Sequence, residues 1–423
     1  MKALAVPDLA VKRFELRCGA TLLVSPRPDA PVAAVQAHLR GGHSLDPPGL
    51  GGTAYLAGRF VDQGTRDFSE EEIAEALEPA GGSLSGGSTG ISGQIAGTEW
   101  KTLLDLVSSC LLHPTYPKAK IELQRRRVLD RLLVERDDPR LQGAWLFRRL
   151  VYGDHWLARP NYGTLESVPR IGRADLTRFH RRNVAASRLV LAVCADADPQ
   201  KVRRFLDRRL AALPKGKPLP PVDRSFPEPA PRTGVFTAKR QQVHVFFGHL
   251  GIERRDPDYG KLAVMDHILG TGPGFSNRIS RILRDELGLA YTVQAAIHSS
   301  AGVLPGTFSA YIGTSPQHLT TAVEGFRREI RRIQTELVTK AELDLAKDYL
   351  TGSLPLGYER ASRRVQSMVF AHRTGLPEDH LRRELESYAA VTREDVRAAA
   401  RGHLFPDRAV LVAAGPVDEE DIL

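Results

Sequence analysis

The sequence predicts an α+β fold made of two homologous halves. Each half is a mostly antiparallel sheet with helices packed on it, and the two close in a clam-shell arrangement. Three observations predict this. The first is residues 213–234, LPKGKPLPPVDRSFPEPAPRTG, with seven prolines in 22 residues. Such a stretch continues neither a helix nor a central strand, so it marks an extended linker. It divides the chain into 1–213, a linker at 214–234, and 235–423. The second is internal repetition, the signature of a duplicated unit. RADLTRFHRRNVAASRLVLAV (173–193) parallels REDVRAAARGHLFPDRAVLV (393–412), Gly97-Thr98 parallels Gly313-Thr314, and Gly64-Thr65 parallels Gly270-Thr271. The third is a shared order of elements: two strands, two helices, two strands, several helices, a strand.

In the first half, Thr21 to Ser25 and Val32 to Arg40 alternate as half-buried strands do. Gly49 to Thr65 has the pattern of a helix with a Gly-Thr exit. Phe68 to Pro79 opens with Ser69 and Glu72 in capping-box spacing. Trp100, Leu103, Leu104, Val107 and Leu111 keep helical apolar spacing, and a long basic helix covers Lys118 to Glu135. Gly81 to Gly97 is so rich in glycine and serine that it predicts a weak strand. In the second half, strands are expected at Gln241 to Leu250, Ala290 to His298 and Gly306 to Gly313. Helices are expected at Gly260 to Leu269, at Asn277 to Glu286, and from a second capping box at Thr339 and Glu342.

Composition excludes several classes. The longest apolar runs, such as Leu189 to Ala195, are too short to cross a bilayer. The first residues lack the apolar core of a signal peptide. Three dispersed cysteines (Cys18, Cys110, Cys194) fit a reducing compartment, so the expected location is cytoplasmic. The formal charge of +9 is spread among 50 acidic residues. No recognition helix or stacking motif accompanies it, so nucleic acid is not expected. The histidine pairs His38/His43 and His244/His249, and His267, fit packed or surface positions better than ligand sets. LGTGPGFS (269–276) lacks the lysine of a phosphate loop. It is a turn whose Gly272, Gly274 and Phe275 also form a weak candidate for peptide contact.

Two motifs carry chemistry. Arg284 to Tyr291, RDELGLAY, fits R-x-x-x-G-L-x-Y, and the Gly49–Thr65 segment ends in Gly64-Thr65. With the two-half organisation, they resemble the pitrilysin, insulinase and mitochondrial processing peptidase family, the inverzincin zinc peptidases. Active members carry H-x-x-E-H five residues before Gly-Thr, and a third glutamate ligand on a later helix. Two imidazoles four apart on a helix grip one zinc, and the glutamate takes a proton from its water. Here those positions hold Tyr55, Gly58 and Arg59, and Arg131 aligns with the third ligand, flanked by Asp130 and Glu135. The resemblance therefore implies a member without the zinc motif, with no metal or other cofactor in this chain.

What remains is the Arg–Tyr pair, which in the family reaches the active site to bind the substrate carbonyl and the developing oxyanion. The resemblance implies that Arg284 and Tyr291 act in trans, as in the non-catalytic subunit of bacterial heterodimeric members. The zinc and its motif would belong to a homologous partner, and the substrate would be a peptide. The alternative implied by the same residues is an inactive structural or peptide-binding homologue acting as a homodimer or scaffold.

Overall fold

Two sheets organise the chain. The computed structural model describes residue 6, residues 8–272 and residues 276–422. β1 (Lys12–Glu15), β2 (Thr21–Pro26), β3 (Val32–Leu39), β4 (Ser83–Gly87), β5 (Gly90–Ala96) and β6 (Leu189–Ala195) form one sheet in the order β1-β2-β6-β3-β5-β4. β7 (Arg232–Thr237), β8 (Val243–Leu250), β9 (Val293–Ala296), β10 (Thr307–Thr314) and β11 (Val410–Gly415) form the other, in the order β7-β11-β8-β10-β9. Without β1, the two orders superpose. Each has one parallel pair, β2 with β6 and β7 with β11, and is otherwise antiparallel. β6 and β11 are buried along their whole length, which is why LVLAVCA and VLVAAG are unbroken apolar runs.

One face of each sheet is covered by helices from its own half. Val35 and Ala37 of β3 pack with Leu103, Leu104 and Val107 of the Trp100–Leu112 helix. Val245 and Phe247 of β8 pack with Phe326 and Ile330 of the Leu319–Thr335 helix. The other faces are covered by exchange. The Pro139–Tyr152 helix places Phe147, Val151 and Tyr152 on Phe246, Tyr311, Val410 and Val412 of the second sheet. The Ala361–Thr374 helix places Val365, Met368 and Val369 on Ala34, Val190 and Ala192 of the first. The proline-rich connection carries no helix or strand from 214 to 231 and lies along the surface. There Pro214 accepts from the Ala186 amide at 2.8 Å and Arg224 pairs with Glu253.

Both capping boxes form, at Ser69–Glu72 and at Thr339–Glu342. The basic helix runs Lys118–Arg136. The Gly49–Thr65 expectation needs correction, because the α-helix there is only Thr53–Gly58. Gly52 has φ 96° and leaves 2.6 Å between a notional Cβ and the Tyr162 carbonyl oxygen, so the chain turns sharply into the helix. Beyond it, the Arg59 amide bonds both Tyr55 and Leu56 carbonyls, tightening and closing the last turn.

Candidate functional site

The short Thr53–Gly58 helix is held from outside its own sequence. Both oxygens of Asp46 accept backbone amides of its first turn, Gly52 and Ala54, each at 2.7 Å. Gly58 lies against the edge strand β4: a Cβ there would come 2.2 Å from the Gly87 carbonyl oxygen, and one on Gly86 would come 2.2 Å from that of Gly58. Glycine faces glycine because backbone touches backbone. The cavity beside this contact, lined by Gly58, Gly87 and Tyr116 among others, holds about 60 Å³, well below the size of ligand pockets.

Two of the positions that the resemblance aligns with zinc ligands, Tyr55 and Arg131, belong to one network. Arg131 and Glu135 are one turn apart, and the Arg131 Nε donates to Glu135 Oε1 at 2.6 Å. The Tyr162 hydroxyl donates to Glu135 Oε2. The Arg131 guanidinium stacks 4.1 Å from the centre of the Tyr162 ring, and Tyr55 meets that ring edge-on at 6.1 Å. Burial first, then the Glu135 carboxylate, push the Tyr162 phenol up to about 12, so it stays protonated and donates. The Glu135 bond chiefly raises Arg131. A zinc site needs several open, deprotonated ligands. The single carboxylate here has both oxygens bonded, and a permanent cation sits beside it, so these residues do not fit the metal. A second acid–imidazole group, Asp256, Asp258 and His403, makes no better case: Asp258 already bonds Lys261 at 2.9 Å and His403 at 3.1 Å.

Glu135, first noted only as a neighbour of the aligned position, is thus the centre of the network, with Tyr162 completing it. Tyr162 lies 27 residues along the chain from Glu135, and no local spacing announces it.

The Arg–Tyr motif begins on a helix with π-helical winding, Ser280–Glu286, which carries Arg284. Asn277 opens it by accepting the Ser280 amide at 2.8 Å, and Ile282 and Leu283 bury its inner face. Arg284 leaves on the flank with 18% side-chain exposure, and its Nε donates to Asp285 at 2.7 Å. Gly288 has φ 63° and turns the chain out of the helix. Leu289 returns to the core, and its carbonyl accepts from Thr314 Oγ1 at 2.6 Å. Tyr291 follows in the bend before β9, two residues short of the strand it was expected to join, with 89% exposure. A second π-helical turn, His267–Thr271, precedes Gly272, whose carbonyl accepts from Asn277 Nδ2 at 3.3 Å. Gly274 and Phe275 lie outside the described residues. Of the histidines singled out in the sequence, His249 is buried and His244 is half-buried. His249 Nε2 accepts the Phe405 amide at 3.0 Å, and His244 bonds the Tyr311 hydroxyl at 3.0 Å. Among the described residues, no helix is long and apolar enough to cross a membrane.

Fold and site together define a chain of two like halves whose short Thr53–Gly58 helix carries no set of metal ligands. The family described as "Peptidase M16 inactive domain" matches residues 170–350. An uncharacterized zinc protease of Streptomyces coelicolor is 26% identical, covering 97% of this chain and 90% of that protein. The non-peptidase homolog YmxG of Helicobacter pylori is also 26% identical, covering 82% of this chain and 80% of that protein. A crystal structure of a peptidase M16 inactive domain from Pseudomonas fluorescens superposes with a TM-score of 0.89 at 24% identity, over 97% of this chain and 99% of that one. The chain thus shares its fold with an M16 inactive domain, matches that family's description over residues 170–350, and lacks the H-x-x-E-H motif.

Proposed function

We propose that this chain is the non-catalytic subunit of a two-subunit zinc peptidase. Arg284 and Tyr291 are offered in trans to a homologous partner that carries H-x-x-E-H, and the substrate is a peptide. One contrast carries the reading: Tyr291 stands 89% exposed on a loop fixed by Gly288 and Leu289, whereas Arg131, Glu135 and Tyr162 fill the degenerate motif of the first half. A guanidinium and a phenol both donate, and donors held where a carbonyl gains negative charge contribute to transition-state binding. The chain would then act in the cytoplasm as a donor-supplying surface.

The test is co-expression with an H-x-x-E-H homologue. Arg284→Ala or Tyr291→Phe should lower peptide cleavage by the pair about 10²-fold or more, the scale of losing one oxyanion donor. Unchanged cleavage would sink the trans role. The name "non-peptidase homolog" carried by the Helicobacter relative favours a second reading, an inactive homodimer or scaffold. Light scattering on the purified chain, alone and mixed with the homologue, separates the two: self-association with no mixed complex supports the second.

A further inference from the structure

The crossing of the Ala361–Thr374 helix over the first sheet leaves a cavity of about 400 Å³ between the halves. Along β3, Val35 and Ala37 face the first-half core, so Gln36 and His38 face the other way, into this seam. His38 is 3% exposed, and its buried Nε2 has no hydrogen-bond partner among the described residues. Buried polar groups are rarely left so.

The charge of the cavity is uneven. Arg254 is paired with Glu384 on one wall. Arg363 and Arg373 also line it, with no ion pair to either among the described residues. Arg373 is exposed at the rim of the cavity, where partial desolvation and nearby Arg40 push it down; burial and Arg373 hold His38 at about 3, so the imidazole is neutral. An adjoining cavity of about 330 Å³ shares Arg373 and adds Arg40 and Arg255. Two guanidiniums in excess, one unbonded imidazole nitrogen, and an apolar margin from Phe370 and Leu376 describe a receptor for an anion with an apolar body. The volume falls in the range of small-molecule sites.

We propose that this seam cavity is a binding site for a small phosphate- or carboxylate-bearing molecule. Its anionic group sits on Arg373 and Arg363, and His38 donates from Nε2. None of these residues belongs to the Arg284–Tyr291 loop, so the site stands independently of the peptidase reading. Because β3 and the Ala361–Thr374 helix come from different halves, the ligand would bridge them.

Calorimetric titration of the full chain alone tests this, with inorganic phosphate, adenosine 5′-monophosphate and N-acetylphenylalanine as probes. The last two distinguish a nucleotide-like source from a peptide-like carboxylate. Saturable 1:1 binding of at least one probe is expected. It should weaken at least tenfold in Arg373→Gln, survive in Arg373→Lys, and be unchanged in the surface control Arg331→Gln. Absence of saturable binding by all three probes, or equal binding by Arg373→Gln, overturns the proposal.

Discussion

Gly58 is small because the neighbouring strand leaves it no room. Adding a Cβ gains helix propensity of about 1 kcal/mol, but the clash is with the Gly87 backbone at 2.2 Å, which does not swing aside. Overpacking of this kind costs about 1–3 kcal/mol, and the rigid backbone neighbour puts the cost toward the upper end, so Gly58→Ala should be destabilised by up to about 2 kcal/mol in urea unfolding. An unchanged midpoint would show that β4 yields. A glutamate at 58 would meet the same wall. The buried histidines set a pH response. His38 and His249, held at about 3 and about 4 chiefly by burial, are neutral in the fold and take protons when it opens. Between about pH 4 and 6.5 the unfolded chain binds more protons at these sites, so their contribution to stability rises with pH and is lost on acidification. Asp46, which burial raises to about 6, runs the opposite way between about pH 4 and 6. His38→Gln should therefore flatten the rise by up to about 1.4 kcal/mol per pH unit. Unfolding free energies measured at pH 4.5, 5.5 and 6.5 check this, and an unaltered slope would contradict the assignment of His38 as neutral.

Local signals made most elements legible. Ser69–Glu72 and Thr339–Glu342 start helices because each box satisfies backbone donors reciprocally, and its two residues are only three apart in sequence. The Trp100–Leu112 stripe and the apolar β6 were legible for the same reason. The motif helix was overestimated, since its start is set by the approach of Gly52 to Tyr162 and its end lies against Gly87, both more than 25 residues away. The partner of Glu135 was hidden likewise. Periodicity shows that the Pro139–Tyr152 helix has an apolar face, but not which sheet that face covers. Its cover of the second sheet makes a prediction. Phe147 is 3% exposed against Phe246, so Phe147→Ala should cost about 3–5 kcal/mol. It should also raise amide exchange in β8 and β11, strands of the other half. Exchange confined to the first half would contradict the packing.

At the scale of the molecule, the linker suggests two independent parts, and the exchanged helices deny it. A fragment of residues 1–213 would bare Leu23, Ala34 and Val190 on its sheet and Phe147 and Val151 on its helix. Contiguous apolar surface of that kind drives association. Expressed separately, 1–213 and 235–423 should be aggregation-prone, and co-expressed they should recover a soluble pair. A soluble monomeric 1–213 would show that the exchange is dispensable. The crossed helices also have a kinematic consequence. In a hinged shell each valve swings freely, whereas here each valve has its own bar bolted across the other. The chain has little freedom to gape within itself, so any enclosure it helps to form must open by whole chains parting, like two cupped hands.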